Sequence, residues 1–404
     1  MTGAAQLPPE FASRRRLALV IGVAALMACG AGAASNPRQF FHSWLLGFLF
    51  WLGMSLGCLS LLLLHHLVGG SWGFVIQRIL EAGARMVPLA LLAFLPLLAG
   101  LTYLYPWTDA ALVAQDAALR SKSVYLNVPF FIIRAAFYFA VWSGLAWCMT
   151  HWSSELDRTA NPALARRMQL MAGPGLGIYA LTITFASVDW AMSLEPHWFS
   201  TIYGVLFMVG QGLMALALSV RVLSRLGAAS GPMADTVRPA HFHDLGNLML
   251  AFTMLWAYIS FSQFLIIWSG NLPEEIPWYL TRTRGGWQFV VIVLAVFHFF
   301  LPFFLLLMRF IKRKGELLAR LAAAMLVMRL VDLFWLIAPA RDSALSVHWM
   351  DLAAPLAIGG FFSAGFVWML GSRPLMPLND PRLAEAFAAG HGAHEVKGER
   401  LQHE

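Results

Sequence analysis

Long apolar runs separated by short polar connections recur ten times along the chain. A hydrocarbon layer of about 30 Å needs about 20 mostly apolar residues in a helix to cross it. Runs of that kind fall near 17–34, 40–67, 85–105, 128–150, 173–193, 198–221, 244–269, 287–311, 319–338 and 348–371. The pattern predicts an all-α polytopic membrane protein of ten spans, with a short N-terminal segment 1–16, a membrane domain 17–371 and a polar tail 372–404. Almost nothing is left over for a soluble domain.

Composition agrees: the 404 residues are 59% hydrophobic and 12% charged, about half the charged share of a soluble domain. The net charge of +7 raises nucleic acid as a partner, but the placement of the basic residues argues against one. Counting along the ten spans puts 20 Lys and Arg on one side, 6 on the other and 2 within spans. Cytoplasmic loops retain Lys and Arg, so both termini are expected to be cytoplasmic, with Arg78 and Arg85 in an inner loop. The stretch "ACGAGAASN" imitates a signal-peptide cleavage region. Its removal would leave nine spans and misplace the basic tail, so the first run is expected to stay as a span. Cys29, Cys58 and Cys148 all lie in spans, and no CxxC or CxxCH occurs, so no disulfide framework, iron-sulfur motif or covalent haem motif is encoded. The tail, polar and with three histidines, reads as a short disordered end.

Ionisable groups inside spans are costly and mark function by default, although a hydrogen bond or ion pair that only joins helices is the plainer alternative. On the seventh span Asp244, Asn247, Ala251, Tyr258 and Ser262 fall within roughly 60° of one another. They make a stripe about 27 Å long, read equally well as a water-bridged path or as interhelical bonding. The fourth span repeats the pattern with Asn127, Arg134 and Tyr138. On the ninth, Arg329 and Asp332 stand at i and i+3 near mid-membrane and are expected to pair. On the eighth, His298 lies four residues before Pro302. A haem b needs two histidines at matching depth, and only His298 is near the middle.

The far ends of the spans gather acids and imidazoles. "SVDWAMSLEPHWFS" brings Asp189, Glu195 and His197 within a few residues, and "SVHWMD" adds His348 and Asp351. Interfacial tryptophans belong there; the acids need another reason. As mouths of two polar half-paths, carboxylates and imidazoles suit proton exchange, because partial burial can raise a carboxyl's pKa toward neutrality and an imidazole titrates near it.

"DWAMSLEPHWFSTIYG" and "HFHDLGNLMLAFTMLWAYISFSQFLIIWSGNLPEEIPWYLTR", with the ten-span layout, resemble the F subunit of alternative complex III, a bacterial quinol:cytochrome c oxidoreductase. The resemblance extends over nearly the whole chain. It implies a polysulfide-reductase-like membrane subunit, two four-helix bundles flanked by two further helices, in the bacterial inner (cytoplasmic) membrane. In such complexes a homologous ten-helix subunit meets an iron-sulfur subunit and oxidises quinol, and pentahaem and monohaem cytochrome c subunits carry electrons outward. A cytochrome c oxidase and lipids are further candidate partners. The F subunit holds no redox centre of its own and is linked to proton movement, although the family also goes by the name quinone-binding subunit 2. Of the groups above, Asp189, Glu195, His197, His243, Asp244 and Gln263 lie inside the matching strings.

Four functions compete: a non-redox subunit of a respiratory complex that helps move protons, a quinone-binding subunit of the same complex, a structural scaffold and a secondary transporter. Repeat-built transporters carry paired discontinuous helices, which this pattern lacks. Quinol chemistry needs an electron acceptor, and this chain encodes no motif for one; a groove between the bundles is left for a quinone or lipid. The non-redox subunit therefore ranks first.

Overall fold

The computed structural model describes residues 7–228, 233, 236–377 and 379–383. Among them ten helices are long and apolar enough to cross a membrane: α1 (Pro9–Ser35), α2 (Pro37–Val68), α3 (Ser71–Ala99), α4 (Val128–Thr159), α5 (Pro162–Leu194), α6 (Tyr203–Ala228), α7 (Pro239–Gly270), α8 (Trp287–Leu307), α9 (Gly315–Ala340) and α10 (Met350–Leu370). No strand occurs among the described residues. Ten crossings put the start of α1 and the end of α10 on one face, here called the terminal face; the other is the far face.

The helix starts follow from local chemistry. Proline opens α1, α2, α5 and α7, where its missing N–H costs nothing. Asn36, Asn127 and Asn161 cap α2, α4 and α5 by accepting from backbone N–H groups of the first turn. Asn127 is thus a cap and not a member of the polar face of the fourth span.

Helix α2 is apolar on nearly every side and buried along most of its length, as a helix without a polar face must be. It packs on α3 and α5, which with α4 complete a first four-helix bundle. Helices α6 to α9 form a second, joined to the first where α6 lies on α2 and α5. Helices α1 and α10 run along each other and flank α2. Gly22 and Gly360 permit that pairing, since a Cβ on Gly360 would stand 2.4 Å from the Cα of Gly22. Close backbone approach through small residues is how helices associate where water gives no hydrophobic drive.

Three expectations are corrected. The third span begins at Ser71, not near 85, and ends at Ala99, so Arg78 lies inside the helix, paired with Glu81 one turn on at 2.8 Å; the self-neutralised pair lets an apolar helix carry what looked like loop charges. The sixth span starts at Tyr203, not 198, because the chain around Pro196 turns to bring Glu195 to Arg282. The tail is also not wholly free. Residues 373–377 and 379–383 fold back as a strap on the terminal face, where Arg373 donates to the Thr150 carbonyl at 2.7 Å and Asn379 to that of Asp157 at 2.7 Å. Buried Asp380 binds Arg382 at 2.7 Å; burial pushes its carboxyl up, but the Arg382 hydrogen bonds and charge outweigh that and hold it below the ordinary carboxylate range. The rest of the tail, with His391, His394 and His403, lies outside the described residues.

A labelling experiment checks the topology. Arg158 and Glu274 are exposed on opposite faces, and Cys29 and Cys58 are buried. Impermeant maleimide applied to right-side-out vesicles is expected to modify Glu274→Cys and to spare Arg158→Cys until the membrane is opened; the reverse would invert the orientation given by the basic residues.

Candidate functional site

The polar groups fall into separate clusters. At mid-membrane, Arg329 and Asp332 on α9 form a fully buried ion pair through Arg329 Nη1 and Asp332 Oδ2. Space for the guanidinium comes from α6: a Cβ on Gly210 would stand 2.1 Å from Arg329 Nη2, so any larger residue there would expel it. Trp256 of α7 donates from Nε1 to Asp332 Oδ2 at 3.4 Å. His298 of α8 meets the Trp256 ring edge to face, centroids 4.4 Å apart. It is fully buried, and neither of its ring nitrogens has a hydrogen-bond partner among the described residues.

The backbone explains how His298 comes to be there. Pro302 has no N–H to give to the His298 carbonyl four residues back, and the turn before it widens into a π-helix over Leu294–Phe300. Single π turns inside α-helices recur at functional sites because they re-aim side chains. The sequence placed His298, Arg329 and Asp332 at similar depth, and the structure brings them around one tryptophan. Among the described residues His298 therefore makes no hydrogen bond of the kind that only joins helices, the plainer alternative for an ionisable group in a span.

The far-face acids are closed, not open mouths. Asp189 accepts from Arg134 at 2.8 and 2.9 Å and from the Tyr138 hydroxyl at 2.8 Å. Arg134 in turn stacks on Tyr125, 3.8 Å from the ring centroid. Glu195 accepts from fully buried Arg282 at 2.5 and 3.2 Å, and Arg282 stacks on Trp278 and donates to the Leu336 carbonyl. Asp351 accepts from Ser43 at 2.5 Å, Gln39 at 2.9 Å and the His348 backbone N–H at 2.9 Å, with Arg341 3.7 Å away. Half-buried His348 accepts from the Met350 N–H at 3.3 Å. Of Asp189, Glu195, His197, His348 and Asp351, only His197 stands in the open, 2.9 Å from Asp116. Backbone N–H groups of Leu119 and Ala118 hold the Asp116 carboxyl below its ordinary value. No three His, Cys, Asp or Glu side chains among the described residues are placed to share a metal ion.

On α7 the stripe faces away from the bundle. Asn247 and Tyr258 are exposed, Tyr258 by 67%, and so are Ala251 and Leu255 between them. Asp244 and Ser262 are half-buried. The inward face carries Leu245, Met249, Trp256 and Ile259, larger and more apolar, and these win the interior. Asp244, Asn247, Tyr258 and Ser262 thus share one face of α7, the face turned away from the bundle. At the terminal end His243 lies 3.8 Å from Asp244, and Asn247 accepts from Lys312 at 2.6 Å, an interhelical bond of the kind held as the alternative. Gln263 is buried and weakly joined to Ser200 and Tyr279, both at 3.4 Å.

One cluster escaped sequence reasoning. On the terminal face Arg78 binds Glu81, Ser153 at 2.7 Å and Asp157 at 2.5 and 2.6 Å, while Ser153 donates to Glu81 at 2.6 Å. The signal was present: Arg78 and Glu81 stand at i and i+3 in an apolar helix, as Arg329 and Asp332 do.

A multi-pass all-α membrane protein with self-neutralised ion pairs and an unpaired mid-membrane histidine is thus the class that fold and site define. No family model matches the sequence, and no curated protein matches it.

Proposed function

We propose that this chain is the non-redox membrane subunit of a quinol:cytochrome c oxidoreductase of the alternative complex III type, and that it exchanges protons at His298, Arg329 and Asp332. The complex assignment rests on the two long strings quoted above and the ten-span layout they share with that family. Its setting in a bacterial inner membrane, with the terminal face cytoplasmic, rests on the 20 to 6 distribution of Lys and Arg.

The observation that carries the proton role is His298, whose two ring nitrogens lack partners beside a neutral Arg–Asp pair. Imidazole can both take and give a proton, and an intramembrane ionisable group without a structural bond is retained at a cost that needs a use. The closed pairs Arg134–Asp189 and Arg282–Glu195 favour a second reading in which the subunit is a scaffold.

Two measurements separate these. Tagged and purified from its own membrane, the chain is expected to bring down cytochrome c subunits, an iron-sulfur protein and a homologous membrane subunit; recovery alone would remove the complex assignment. In proteoliposomes of that complex, His298→Phe is expected to preserve quinol oxidation and lower the protons released per electron to the yield of quinol oxidation itself. An unchanged ratio leaves the scaffold.

A further inference from the structure

On the terminal face, Arg14 in the second turn of α1 lies within electrostatic reach of Arg221 and Arg225, which stand one turn apart near the end of α6. Glu10, 3.8 Å from Arg14, is the one acid in reach of Arg225 among the described residues. It answers little: its side chain is 74% exposed and that of Arg14 48%, and ion pairs in the open are weak. Arg221 and Arg225 are half-buried. Arg221 donates to the Ala319 carbonyl at the start of α9 at 3.4 Å; beyond that bond, neither makes a hydrogen bond or ion pair with a described residue. Three guanidinium groups from two helices thus meet one exposed carboxylate.

What continues from them into the membrane is apolar and uncovered. Leu17, Ile21, Ala24 and Ala28 follow Arg14 at i+3, i+7, i+10 and i+14, on one face of α1, and all four are exposed. Helix α1 packs on α10 and more lightly on α2, and no described helix covers that row. From Arg14 to Ala24 is about 15 Å at 1.5 Å per residue, half of a hydrocarbon core of about 30 Å and so the depth that one leaflet's acyl chain fills. A guanidinium offers paired N–H donors to phosphate oxygens, and basic clusters between helices at the inner surface take anionic lipid headgroups. Surplus positive charge, with Glu10 alone to meet an ammonium, favours a headgroup of net negative charge over a zwitterionic one.

We propose that Arg14, Arg221 and Arg225 hold the phosphate of an anionic phospholipid, whose acyl chain lies along Leu17, Ile21, Ala24 and Ala28. Phosphate is the chemistry the arginines recognise, and the apolar row selects a lipid over the free anion. Binding alone is assigned, and it rests on these residues whether or not the chain belongs to a respiratory complex.

The test uses the full-length protein purified from its own membrane, relipidated with equal amounts of phosphatidylglycerol and phosphatidylcholine and analysed by native mass spectrometry. Phosphatidylglycerol is expected to be retained in preference to phosphatidylcholine, and Arg14→Gln, Arg221→Gln and Arg225→Gln combined should lower that retention by about tenfold or more. Arg320→Gln, exposed near the start of α9 and paired with Glu316 of its own helix, should leave it unchanged. Inorganic phosphate in excess should not displace the lipid; displacement would make the site one for the free anion and overturn the proposal. In native membranes, p-benzoylphenylalanine in place of Ala24 should give photoadducts of phospholipid mass, whereas an adduct with another protein would give the groove to a partner helix and overturn it. Phosphatidylcholine retained equally, or phosphatidylglycerol retained equally by the triple variant, overturns it as well. Should the triple variant fail to fold, the wild-type lipid preference and the Ala24 adduct still decide.

Discussion

Replacing Arg134 with methionine is expected to destabilise the protein by about 3–5 kcal/mol, the usual cost of leaving one partner of a buried ion pair alone. Asp189 would lose both charge-assisted hydrogen bonds and keep only that from Tyr138, with its side chain 1% exposed. Methionine retains much of the volume, so the loss would report charge more than packing. Arg134 also donates to the Tyr125 carbonyl at 2.8 Å, tying the far-face connection to α4, and that connection should loosen too. Adding Asp189→Asn to Arg134→Met removes the stranded charge and should recover a large part of the stability. Unfolding in mixed detergent micelles reads both. Equal stability of Arg134→Met and wild type would mean that Asp189 is neutral or hydrated, and the closed-mouth description would fall.

The sequence made some features legible because one local rule decided them. Apolar length alone located ten spans, and i, i+3 spacing alone predicted Arg329 with Asp332. Depth counting put His298 near both, since a rise of 1.5 Å per residue holds wherever the helix does. What failed required knowing a neighbour. Helical periodicity placed Asp244, Asn247, Tyr258 and Ser262 on one face, yet not which face was inside; Trp256, Met249 and their row took the interior. The far-face acids read as open because Arg134 and Arg282, 55 and 87 residues away from Asp189 and Glu195, cannot be assigned to them by spacing. Arg78 read as a loop charge because charge was counted before helix continuity. Treating each i, i+3 Arg–Glu or Arg–Asp step as neutral when measuring apolar length would have extended the third span back through it.

The pair at mid-membrane carries the strongest remaining prediction. Arg329→Met and Asp332→Leu should each cost about 3–5 kcal/mol singly, because each strands a buried charge, and among the described residues Arg329 contacts no second acid. Together they should cost much less, since a buried pair replaced by apolar side chains is often neutral. A double-mutant cycle on unfolding free energies is therefore expected to show a coupling well above the 0.5 kcal/mol at which independent sites add. The double variant is also the cleanest functional probe: it removes both ionisable groups while sparing the fold. If the chain belongs to the proposed quinol-oxidising complex and the pair exchanges protons with His298, proteoliposomes of that complex should oxidise quinol at near wild-type rate and release only the protons of that oxidation. If the double variant keeps the wild-type ratio, the pair is a fastener between α9 and α6, with Gly210 as its socket, and the proton role passes away from this cluster altogether.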